Sequence, residues 1–214
     1  MRQAEYWVFL PRLRVAAGTQ AMIDVNPHAL LLAGENSFLR LSDDGSPTPR
    51  HWVSHWRVVW SPVGSGHAVM VDSPLVFGVR ILSDNTELAV LLTRLVESIL
   101  YPKFATPAIS VMPAKFDKSG VPPLPVTESV AAEGLHLELR WSDFMEPFSF
   151  SAGPGFRGGP LALQTTLFPA RTAELLVNGE RAEGAPWIES RGNQACTSAC
   201  LAWCETWYRP RDVA

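Results

Sequence analysis

The sequence predicts a mainly β protein, an antiparallel barrel or sandwich with one amphipathic helix at about residues 85–100 packed on it. Three observations carry this. Short apolar runs recur between turn-forming residues, several of them alternate apolar and polar residues with the period of two that a strand imposes, and a single segment carries helical spacing instead.

The first part of the chain breaks into YWVFL (6–10), AMIDV (21–25), ALLLA (29–33), SFLRL (37–41), HWVSHWRVVW (51–60), HAVMVD (67–72) and LVFGVRIL (75–82). Between them, DDGSPTP (43–49) and SPVGSG (61–66) hold residues that fix φ or take it positive, so both are turns or loops. From Asp84, DNTELAVLLTRLVESILYP sets Leu88, Leu91, Leu92, Leu95, Val96 and Ile99 on one helical stripe. Asp84 is placed to cap this helix, Glu87 to complete a capping box, and Pro102 to stop it. Its apolar face must lie on something apolar, most simply an otherwise solvent-facing side of the sheet.

PAISVMP (107–113) is a short further run, and the prolines of KSGVPPLPVTES predict an extended loop or linker at 117–128. The runs on its two sides resemble each other and neither half has a complete core, so residues 1–214 are read as one domain. In LHLELRW, Leu135, Leu137, Leu139 and Trp141 point one way, while His136, Glu138 and Arg140 form an exposed charge ladder on the other side. MEPFSFSAGPGFRGGP (145–160) predicts a mobile aromatic loop, LALQTTL (161–167) another strand, and Asn178-Gly179 within TAELLVNGERAEG a tight hairpin. The total is about ten to twelve strands. The layout is similar to that of a calycin barrel with an outer helix, a likeness without a matching motif and so without functional weight.

A chain with 47% apolar residues fills a core readily. With 18 Lys and Arg against 21 Asp and Glu and no basic block, nucleic acid is not an expected partner. Nor is a membrane, because no stretch approaches ~20 uninterrupted apolar residues; the greasiest segment carries Arg94 and Glu97. The apolar run in MRQAEYWVFLPRLR is too short for a signal-peptide core, and three clustered cysteines make no spaced disulfide framework, so the expected compartment is the cytoplasm. Dinucleotide, phosphate-loop, nucleophile-elbow, Cys-x-x-Cys and His-Glu-x-x-His motifs are all missing, so no cofactor and no metal are expected.

His51 and His55 have the spacing of a helical metal pair, but their valine- and tryptophan-rich surroundings are those of a strand. Residues four apart on a strand lie about 13 Å from each other, too far to share an ion. That strand presents His51, Val53, His55 and Arg57 on one face and Trp52, Ser54 and Trp56 on the other. With the aromatic face in the core, the histidines meet solvent or a helix; with a polar barrel lumen, His51, His55 and Arg57 face an acidic or carbonyl-bearing ligand. Near the C-terminus, AWCETWY read as a strand places Glu205 between Trp203 and Trp207, where burial would lift its pKa toward neutrality. On the same strand Cys196, Cys200 and Cys204 lie about 13 Å apart in succession, beyond disulfide reach, and serve as small packing residues.

The expected function is therefore a small-molecule-binding β-barrel that encloses a largely apolar ligand, with cofactor-free acid–base chemistry of the isomerase, hydratase (lyase) or cyclase kind as its extension. The candidate catalytic residues are Glu205, His55 and His51, and the candidate ligand-binding residues are Trp52, Trp56, Arg57, Trp141, Trp203 and Trp207. Eight tryptophans serve a second class equally, a noncatalytic interaction module that forms a homodimer through an aromatic face.

Overall fold

The computed structural model describes residues 30–104 and 110–209; the runs at 6–10 and 21–25, and the first part of the run at 107–113, lie outside the described residues. Thirteen strands occur among the described residues: β1 (Leu30–Leu41), β2 (His51–Trp60), β3 (Gly66–Ser73), β4 (Gly78–Ser83), β5 (Val111–Ser119), β6 (Val126–Ala132), β7 (Leu135–Phe144), β8 (Phe148–Ala152), β9 (Ala162–Val177), β10 (Glu180–Arg181), β11 (Ile188–Arg191), β12 (Gln194–Thr197) and β13 (Ala199–Tyr208). Hydrogen bonding runs in the order β9-β13-β1-β2-β3-β4-β5-β6-β7, and β7 pairs with β9 again, which closes the sheet into a ring. The pairs are antiparallel except β4–β5, which is parallel because its connection crosses over through the helix.

Among the described residues one long helix, α1, spans 15 residues in three continuous segments: α-helical Thr86–Leu92, π-helical Thr93–Glu97 and α-helical Ser98–Leu100. It starts one residue later than expected. Asn85, not Asp84, is the cap and accepts the Leu88 N–H at 3.1 Å, while Asp84 turns back to accept the His67 N–H at 2.6 Å. The buried residues of α1 are Leu88, Ala89, Leu92, Thr93, Val96 and Glu97, a repeat of four. On a pure α-helix such a repeat drifts by about 40° per step. The wider π turn takes up that drift and holds Glu97 against the sheet.

Closing the ring buries both faces of several strands. Inside lie Leu39, Val53, Val71, Leu137, Leu139, Trp141, Leu175 and Leu201. Outside, α1 covers Leu32, Trp56, Val58, Met70, Ile81, Leu163 and Trp207 with its own Leu88, Leu92 and Val96. The aromatic face of β2 therefore lies under the helix and its histidine face points into the barrel over His51–Trp56, where the strand is covered on both sides, while Arg57, Val59 and Trp60 at its far end are exposed.

The segment 117–128 is the hairpin joining β5 to β6, with strand at both its ends, so it connects neighbours within one sheet. The Asn178-Gly179 turn forms as expected, with φ of 51° and 84° at its two central residues. The charge ladder of β7 also forms on the outer surface, where Arg140 pairs with Glu138 and with Glu174.

Candidate functional site

Two cavities lie on opposite sides of the barrel wall. An outer cleft opens between the sheet, the end of α1 and the β8–β9 loop, and a mouth opens at one end of the barrel. The expected site residues divide between them.

A β-bulge makes the division. Cys204 adopts left-handed backbone (φ 52°), and residues 204 and 205 of β13 together stand opposite Thr165 of β9. Simple alternation puts Trp203, Glu205 and Trp207 on one face, but the extra residue reverses the facing of everything after it. Trp203 consequently points inward and packs on Phe168 (4.7 Å), whereas Glu205 and Trp207 point outward into the cleft.

The cleft holds about 70 Å³ of space, room for about five to seven water-sized groups at roughly 10–15 Å³ each. Trp52, Phe150, Phe156, Leu163 and Trp207 give it apolar walls. Two buried carboxyl groups lie among them. Glu205 Oε1 accepts the Trp207 indole N–H at 2.7 Å. Burial, which disfavours the charged form, pushes its pKa up to about 8; the Trp207 bond acts against the rise and neighbouring Glu97 adds to it. Glu97, delivered by the π turn, accepts from Ser54 Oγ (2.5 Å) and Trp56 Nε1 (2.6 Å) on Oε1, while its buried Oε2 has no partner. Burial raises its pKa as well. Both donors meet Oε1, so a proton taken up by this group would sit on Oε2.

Trp52 is set by Tyr101, stacked on it at 4.0 Å, and the Tyr101 hydroxyl donates to Asp72 at 2.8 Å. Trp56 supports Glu97 from behind without lining the cavity. Gly159 brings the β8–β9 loop onto the helix end, since a Cβ there would come within 2.6 Å of Ile99 Cδ1.

The barrel mouth is larger, about 390 Å³, and is lined by His55, Arg57, His67, Phe116, Lys118, Trp203 and others. Its charges satisfy one another. Glu128, buried between Val126 and Val130, hydrogen-bonds to His55 Nδ1 and accepts from Ser37 Oγ (2.9 Å), with Lys118 Nζ at 3.2 Å. Burial alone would raise its pKa, but attraction to His55 and Lys118 and these hydrogen bonds hold it down at about 2. Lys118 also donates to Glu35 at 2.9 Å, and Arg57 lies 3.6 Å from that carboxylate.

His51 lines neither cavity: it is buried, bonds Ser73 Oγ through Nδ1 (2.8 Å), and burial lowers its pKa. Trp141 also lines neither cavity and is a core residue whose Nε1 donates to the Phe38 carbonyl at 3.2 Å. Glu97 and Glu128 escaped the sequence reading, although both left a trace there. Glu97 interrupts the greasiest segment of the chain, and Glu128 occupies an inward position of the alternating run VTESVAA.

The cysteine spacing has a different basis from the one expected. Ser198 interrupts the strand between β12 and β13, so the chain bends and brings Cys196 Sγ within 3.5 Å of Cys200 Sγ. All three thiols are free; Cys196 and Cys200 are buried and Cys204 is exposed at the bulge. In the native protein a thiol-exchange reagent should therefore titrate Cys204 alone, and all three after denaturation. Prompt native reaction of three equivalents would contradict this packing.

Neither a family model, a curated protein nor a solved structure matches the chain.

Proposed function

We propose that this chain binds a small, largely apolar molecule in the outer cleft and carries out cofactor-free acid–base chemistry on it, of the isomerase or lyase kind. The observation that supports this most is Glu205: a carboxyl group in an aromatic-walled cleft, with a pKa near 8, holds its proton at neutral pH and can give it up and take it back. Glu97 adds a second carboxyl group from the facing helix, its pKa raised by burial and its Oε2 without a partner. The barrel mouth is a weaker candidate for this chemistry, because its charges are already paired with one another, although His55 Nε2 is buried without a partner.

Tryptophan emission during a screen of small apolar carbonyl compounds tests this reading, since Trp52 and Trp207 both line the cleft. A responding ligand should show a binding transition near pH 8 that disappears in Glu205→Gln and survives in His55→Ala. A response abolished by His55→Ala and untouched by Glu205→Gln would move the site to the barrel mouth. An obligate dimer that responds to no ligand would favour the interaction-module reading.

A further inference from the structure

The cleft carries a positive rim with too few negative partners. Arg40, Arg157 and Arg191 all line it. Arg40 and Arg191 share a single carboxylate, Glu189, at 2.9 and 2.8 Å. Arg157 has no ion-pair partner among the described residues; Arg191 lies near enough to repel its charge, and Glu189 near enough to attract it. Of the remaining carboxyl groups of the cleft, Glu205 keeps its proton up to about pH 8 and so does not offset the surplus near neutrality, and burial shifts Glu97 in the same direction.

The arginines are also held in place. Arg40 is 7% exposed in its side chain and lies among the rings of Phe38 (5.3 Å), Trp52 (5.0 Å) and Trp187 (5.5 Å). Arg157 adopts left-handed backbone (φ 47°, ψ 31°), a conformation that costs a non-glycine residue about 1 kcal/mol or more and clusters at ligand sites. Its neighbour Phe156 packs on Phe150 at 5.9 Å and on Trp207 at 6.5 Å, and Trp207 is the indole that bonds Glu205. A ligand group at Arg157 and an apolar body against these rings would thus bring the body to Glu205.

We propose that the molecule taken by the cleft is a small apolar carboxylate, its anionic head seated at Arg157 and Arg191 and its hydrocarbon body between Trp52, Phe156 and Trp207. This rests on the cleft being the binding site. The planar guanidinium fork suits a carboxylate in two parallel hydrogen bonds, and the space in the cleft suits a body of about six carbon atoms. A second anion inside the site opposes carboxylate binding, so affinity should fall as pH rises past Glu205's titration.

Calorimetric titration with cyclohexanecarboxylate and its near-isosteric alcohol, cyclohexylmethanol, tests the proposal at low salt and about pH 6.5. The carboxylate should bind the unmodified protein about tenfold or more tightly than the alcohol. That preference should shrink to about twofold or less in Arg157→Met and persist in Arg171→Met, whose arginine pairs elsewhere with Asp143. Affinity for the carboxylate should drop above about pH 8 in the unmodified protein and stay level there in Glu205→Gln. Equal binding of acid and alcohol would overturn the anionic head while leaving the cleft as an apolar site. A preference that survives Arg157→Met would overturn the seat assigned to it, and binding of neither compound would remove the cleft reading and this inference together.

Discussion

Glu205→Gln should be the more stable protein at alkaline pH, by several kcal/mol. In the folded chain Glu205 keeps its proton up to about pH 8, whereas the ordinary value is 4.5. The native state therefore binds a proton that the unfolded chain has released, and stability falls as pH rises between those two values. At about 1.4 kcal/mol per pH unit, the loss attributable to this one group is about 5 kcal/mol, a large part of the 5–15 kcal/mol typical of a domain. Glutamine carries no charge to desolvate and still offers an oxygen to the Trp207 N–H. Urea unfolding at a series of pH values should give curves that converge near about pH 4.5 and separate steadily toward about pH 8.5, with the variant above. Glu97 is displaced in the same direction, so Glu97→Gln should flatten the profile further. Parallel profiles for Glu205→Gln and the unmodified protein would contradict burial of an ionisable group at this position.

Glu128→Gln should act in the opposite sense. The carboxylate is 2% exposed and meets His55, Ser37 and Lys118 at once, so removing its charge breaks a buried network and leaves Lys118 only Glu35, at a cost of about 3–5 kcal/mol near pH 6. Its pKa is held at about 2, below the ordinary 4.5, so its contribution is complete above about pH 4.5 and is lost as pH falls through about 2. Over that range the unmodified protein should lose about 3 kcal/mol that the variant no longer has to lose. The two proteins should differ clearly at about pH 6 and approach each other at about pH 2. If Glu128→Gln unfolds at the same urea concentration as the parent at pH 6, the buried network contributes nothing net. Together the two carboxyl groups place maximum stability near about pH 4.5, where Glu128 is ionised and Glu205 still protonated.

The β-rich class, the helix that begins at Thr86 and the Asn178-Gly179 hairpin were legible because each follows from local periodicity or turn chemistry. Where local rules met closure of the sheet they gave incomplete answers. On β2, alternation correctly separated His51, Val53, His55 and Arg57 from Trp52, Ser54 and Trp56, but it assumes one wet face, and this strand has a lumen on one side and a helix on the other. On β13, alternation failed because Cys204 adds a residue to the strand, and no pattern in AWCETWY announces left-handed backbone at a cysteine. At Ser198 a bend replaced a continuous strand, which brought together thiols expected to lie far apart.

The same division holds at the site. By itself the sequence determined that the fold is mainly β, that the helix must cover an apolar face, and that Glu205 has an aromatic neighbour, since these depend on residues a few positions apart. Tertiary structure decided that Glu205 shares a cleft with Glu97 and three arginines while His55 bonds Glu128. Those groups come from strands and a helix far apart in the chain, and which of them share a cavity depends on the barrel's closure, one π turn and one bulge. A single extra residue in a strand exchanges inside for outside, and so selects the chemistry each side chain can join.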